Sequence, residues 1–122
     1  MSLPNLRLIF FRLSLITAVL TVLFFTLTDD VPSVTQEVND KVAHLLAFMM
    51  LALLTDYSFP GTGFNLRKSL PLVFYGMLIE CIQYFLPYRT FSMLDFLADC
   101  SGVYLYPLVQ IWLGRLFALK KR

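Results

Sequence analysis

Apolar residues in this chain fall in four long blocks, with neither the one-face spacing of a surface helix nor the alternation of a half-buried strand. The first, 6–27, is broken only by Arg7 and Arg12. The second, 42–59, carries His44 and Asp56, and the third, 70–86, carries Glu80. The fourth, 92–113, carries Asp95 and Asp99. At 1.5 Å rise, about 20 residues cross a hydrocarbon core, so each block approaches a spanning length. Helices apolar on all sides belong in lipid, or in a core larger than 122 residues can build. The pattern predicts an all-α polytopic membrane protein, a single domain over 1–122 with four transmembrane helices at roughly 6–27, 42–59, 70–86 and 92–113.

Composition agrees. A chain with 58% hydrophobic and 15% charged residues is not an ordinary water-soluble domain. The first block ends Phe25-Thr26-Leu27-Thr28, without the small residues a signal peptidase prefers, so it reads as a retained anchor.

Charge sets the expected orientation. Four spans place Arg7, Arg12, Arg67, Lys68, Arg115, Lys120, Lys121 and Arg122 on one side, leaving Lys41 and Arg89 of the 10 basic residues on the other. The excess of Lys and Arg belongs inside, so both termini are expected in the cytoplasm. The net charge of +2 reflects this anchoring. Dispersed basic residues without a stacking platform speak against nucleic acid.

With that topology Asp40, His44, Glu80, Arg89, Asp95 and Asp99 all converge on the outer side. A charge at the bilayer centre costs about 2.5–3.5 kcal/mol on insertion scales, so such residues face one another or a cavity and usually serve function. Helical spacing groups them. Asp40 and His44 are four apart, Glu80 and Gln83 three apart, and Asp95, Asp99 and Gly102 step along one face. Glu80 and Asp99 are expected at similar depth, about two turns below the outer surface. Gly76 and Gly102 lie on the faces of Glu80 and Asp99 and permit close helix contact. Tyr106 is expected beneath the polar group, as a floor or as plain packing, and Pro107 is expected to kink the last helix. Asp56 is expected at the cytoplasmic interface.

The run Asp40-Lys41-Val42-Ala43-His44, then Glu80-Cys81-Ile82-Gln83, then Arg89-Thr90-Phe91-Ser92-Met93-Leu94-Asp95 and Asp99-Cys100-Ser101-Gly102 resembles the VanZ-like family of small bacterial membrane proteins. Each piece is weak alone; the ordered set is specific. Asp99 departs from the asparagine many members carry, and Tyr106 lies where the family often has a second glycine. The resemblance implies a multi-pass protein of the bacterial cytoplasmic (inner) membrane, associated with the cell envelope. The family takes its name from an accessory protein linked to teicoplanin resistance. No settled reaction comes with it.

Asp40, Glu80, Asp95 and Asp99 outnumber Lys41 and Arg89 by two charges when His44 is neutral. Ionising Glu80 and Asp99 together is costly, so one holds a proton, shares one, or is neutralised by a cation. An Asp/His/Glu set can hold a divalent metal, and no dedicated metal motif is present. Three functional readings follow. In the first, Asp40, Lys41, His44, Glu80, Gln83, Arg89, Asp95 and Asp99 bind the head group of an envelope lipid or glycolipid. In the second, Glu80, Asp99 and His44 are catalytic, doing acid–base chemistry on such a lipid. In the third, the polar cluster is interhelical glue. Interhelical hydrogen bonds yield only about 0.6–2 kcal/mol, a poor return for burying several carboxyls. A transport path would require a homo-oligomer of so small a bundle. Cys81 and Cys100 have no metal-type spacing and read as packing residues.

Overall fold

The computed structural model describes residues 2–28, 37–88 and 91–120, so Arg89 of the expected site lies outside the described residues. All regular structure among them is helical: α1 (Leu3–Leu27), α2 (Glu37–Ser58), α3 (Leu66–Phe85) and α4 (Met93–Lys120). Each expected block is a helix. Three of the four, Leu3–Leu27, Asp40–Ser58 and Met93–Ala118, are long and apolar enough to cross a membrane. The 20-residue α3, which carries Arg67, Lys68 and Glu80, is not among them.

Helix α2, expected from residue 42, starts at Glu37, and α3, expected from residue 70, starts at Leu66. Proline lacks the N–H that a helix interior uses and is best tolerated in a first turn. The helix instead runs through Pro71, and its true first turn carries Lys68 inward. The expected end of α4 at 113 is also too early, since Arg115 and Lys120 continue the helix. Pro107 lies within a continuous α4.

Helix α2 is the centre of the bundle. It packs along α4 on one side and α1 on the other, while α3 covers the groove between α2 and α4. The core is Phe48, Leu51 and Ala52 of α2, Leu72 and Ile79 of α3, and Val103 and Tyr106 of α4. From α1, Leu15, Ala18, Val19 and Val22 lie half-buried on this core. Tyr75 of α3 adds a hydrogen bond, its hydroxyl donating to the Val19 carbonyl at 2.6 Å. The rest of α1 and the last turns of α4 present Phe10, Leu20, Phe24, Trp112 and Phe117 outward, as lipid-facing helices do.

Lipid tails are as apolar as leucine, so helix association in a bilayer depends on close backbone approach and polar contacts. Gly102 supplies that approach. A Cβ at this position would fall on the Leu45 carbonyl oxygen and stand 3.0 Å from the Met49 nitrogen, so α4 touches the backbone of α2 there. Gly76 plays a milder part on α3, where a Cβ would lie 3.1 Å from Asp99 Oδ2 and 3.4 Å from Phe48 Cε1.

Neither backbone nor helix interior can yield at position 102, so Gly102→Ala is expected to force α2 and α4 apart. The cost is about 1–3 kcal/mol, the usual range for overpacking, read as a lower unfolding midpoint in detergent. Gly114, whose Cβ would meet nothing, is the matching control.

Candidate functional site

The polar side chains gather at the end of the bundle where α2 and α4 begin and α3 ends. Ser92 organises the entry to α4. Its Oγ accepts the backbone N–H of Asp95 at 3.3 Å, the contact of a helix N-cap. Its own N–H donates to Glu80 Oε2 at 3.2 Å. In a capping box the residue at the third helical position reaches back to that N–H. Here Asp95 holds that position but takes Lys41 at 3.2 Å instead, and a carboxylate from α3 completes the cap.

Asp99, one turn further along α4, is buried against α2. Its Oδ1 stands 2.7 Å from His44 Nδ1, and its Oδ2 lies beside Gly76. On the other side of the imidazole, Nε2 is 3.9 Å from Asp40 Oδ2. Glu80 and Asp99 are 0% and 1% exposed, and Gln83 is buried beside them. Thus Asp40, Lys41, His44, Glu80, Gln83, Asp95 and Asp99 occupy one end of the bundle. Glu80 and Asp99, expected at similar depth, offer carboxylate oxygens within 4.8 Å of each other. Glu80 is level with the cap of α4, while Asp99 is level with Gly76, one helical turn earlier on α3.

A cleft of about 350 Å³ opens beside His44. Val22, Phe25 and Thr26 of α1 form one wall, and Asp40, His44 and Gln83 line the other. Glu80 Oε1 and Asp99 Oδ2 are buried without a hydrogen-bond partner. Two trios have the donor types of a metal site, Asp40 with His44 and Asp95, and His44 with Glu80 and Asp99. Within each, one ligand atom per residue lies within 4.8 Å of the others.

A second polar group at the opposite end was not read from the sequence. Asp56, expected at the cytoplasmic interface, is held by its neighbours: Lys68 Nζ meets its Oδ1 at 2.7 Å, and the Tyr106 hydroxyl donates to its Oδ2 at 2.7 Å. Lys68 also donates to the Thr62 carbonyl at 2.8 Å and is only 5% exposed, so it is no loop cation. Tyr106 therefore belongs to this group, the inner one of the expected topology, and Phe48 with Gly76 lies beneath the His44 group, the expected outer one. Nearby, Arg12 Nε donates to the Ser58 carbonyl at 3.1 Å, placing a cation on the C-terminal end of α2. The available signal was that Asp56 is the one acidic residue on the side where eight basic residues were expected.

A family model described as VanZ/LLP1 matches residues 4–114. The chain belongs to the VanZ/LLP1 family. The match covers nearly the whole chain and every residue of the outer group, so the resemblance carried by the Asp40–Gly102 motifs extends to both flanks. An uncharacterized protein of Schizosaccharomyces pombe is 34% identical over 86 residues, which are 66% of this chain and 51% of that protein. The chain thus spans about half the length of this relative, and a sequence similar to this VanZ/LLP1 chain occurs in a eukaryote. No solved structure matches the chain. Cys81 and Cys100 are both free, and Cys81 is exposed rather than packed within the bundle.

Proposed function

We propose that the chain is a multi-pass protein of the bacterial cytoplasmic membrane that binds or handles the head group of an envelope lipid or glycolipid. In this reading all four helices span, both termini are cytoplasmic, and the Asp40–His44–Glu80–Asp99 group lies in the outer half of the bilayer. The observation that carries it is the cleft beside His44. Its lining joins apolar Val22, Phe25, Ala43, Ala47 and Phe48 to polar Asp40, His44 and Gln83, so it suits a molecule with a hydrocarbon chain and a hydrogen-bonding head. Lys41, paired with Asp95, supplies positive charge for an anionic head group, as does Arg89 by its place in the sequence between Glu80 and Asp95. The family's link to teicoplanin-type susceptibility points to the same outer-leaflet chemistry.

A glue role fits the inner group better than the outer one. Asp56 has partners on both oxygens, whereas Glu80 and Asp99 each bury an oxygen that no donor meets. Such atoms raise the cost of a structural network, and functional sites tolerate that cost. The 2.7 Å approach of Asp99 to His44 also keeps the enzymatic alternative open, since a carboxylate orients an imidazole for proton transfer in this way.

Two measurements test the reading. Reporter fusions at either terminus are expected to be active only in the cytoplasm; activity on the outer side contradicts the topology and the site's depth. Glu80→Gln keeps shape and most hydrogen bonds, so it is expected to insert at parental abundance. It should nevertheless fail to restore the envelope lipid profile and teicoplanin susceptibility of a deletion strain. Full complementation by Glu80→Gln removes Glu80 from any acid–base or charge-dependent role.

A further inference from the structure

Most charged groups of the bundle interior have an evident partner: Asp56 has Lys68 and Tyr106, and Asp95 has Lys41. Glu80 and Asp99 do not. Glu80 Oε2 takes only the Ser92 N–H, and Asp99 Oδ1 takes only His44. Their other oxygens, in side chains 0% and 1% exposed, meet no donor. Two buried carboxylates that share a single histidine call for a cation between them, because burying an uncompensated charge is far costlier than burying a paired one.

We propose that His44, Glu80 and Asp99 bind one first-row divalent cation, Zn²⁺ or Mn²⁺. Neutral imidazole with two carboxylates gives a donor set of charge −2, which a divalent ion balances within the apolar bundle. Imidazole nitrogen favours a first-row transition ion over Ca²⁺ or Mg²⁺, which prefer oxygen donors throughout. The three ligand atoms lie within 4.8 Å of one another, and a tetrahedral ion with bonds of about 2.0–2.2 Å holds its donors about 3.4 Å apart. Bringing the three donors onto an ion therefore asks for side-chain shifts of no more than about 1.4 Å between any two of them.

The surroundings match a built site. Nδ1 faces Asp99, and Asp40 Oδ2 stands on the Nε2 side at 3.9 Å, where an outer carboxylate fixes the tautomer of a ligating histidine. The Ser92 N–H holds Glu80 Oε2, which leaves Oε1 for the ion. The alternative trio of Asp40, His44 and Asp95 is weaker, because Lys41 already occupies Asp95 Oδ1. His44 also lines the cleft, so a fourth coordination position is open to water or to a ligand oxygen. An ion here turns an acid-rich pocket into one that receives an anionic oxygen. The proposal goes beyond the lipid reading and does not depend on it.

The test is metal binding by the full chain purified in detergent, stripped with chelator and reloaded separately with Zn²⁺ and Mn²⁺. Elemental analysis after dialysis is expected to give about one ion per chain for one of them. Glu80→Gln and Asp99→Asn should each weaken binding at least tenfold, in line with losses seen when metal-site residues are removed. Co²⁺ loading should give a visible absorption band that the same variants lose. The wild-type stoichiometry and Co²⁺ spectrum decide the matter even where a variant does not fold. Less than a tenth of an ion per chain overturns the proposal, as does full binding retained by the triple variant His44→Ala/Glu80→Gln/Asp99→Asn. A wild-type chain that restores the envelope lipids of a deletion strain yet binds neither ion would also sink it, while leaving the lipid reading standing.

Discussion

Asp99 joins three helices at one point. From α4 its carboxylate reaches His44 of α2 at 2.7 Å and lies against Gly76 of α3, with the Phe48 ring beneath. In lipid, apolar surface alone gives helices little reason to prefer one another over the solvent. A buried carboxylate that can be satisfied only by a neighbouring helix supplies such a reason and fixes register as well. Gly102, three residues later, lets α4 rest on the α2 backbone, and that contact holds Asp99 within reach of His44. Side chains at 76 or 102 would push α3 or α4 away and leave the carboxylate without its partner.

The site was legible because its residues are expensive where they stand. His44, Glu80, Asp95 and Asp99 interrupt apolar blocks, and helical spacing alone placed each beside a glycine or a second polar residue. What could not be read was which partner each charge chooses. Lys68 looked like a loop cation because the third apolar block begins at residue 70, yet the helix starts at Leu66 and carries Lys68 inward to Asp56. Tyr106 sits on the same face as Gly102, but its hydroxyl extends to the inner end, not the outer one. Ser92-x-x-Asp95 is a readable cap signature. That Glu80 completes it depends on how α3 docks, which is a tertiary fact.

The two ends of the bundle solve the problem of buried charge differently. At the Asp56 end Lys68, Asp56 and Tyr106 satisfy one another and Arg12 covers the end of α2, with Ser58 Oγ the one buried oxygen there that meets no donor among the described residues. At the His44 end α2, α3 and α4 each contribute a carboxylate or imidazole, two carboxylate oxygens remain without donors, and a cleft reaches His44. Membership of the VanZ/LLP1 family covers both ends equally, so the contrast rests on local chemistry and not on kinship. The proposed binding site is therefore assigned to the end that is not self-sufficient.

The central claim is that Asp99 and His44 act as one unit holding α4 to α2. A double-mutant cycle on His44→Ala and Asp99→Asn, read from unfolding in detergent, measures that coupling directly. A coupling of about 1 kcal/mol or more is expected for a buried, charge-assisted contact of this geometry. Strictly additive losses would show that the two side chains are neighbours without being partners.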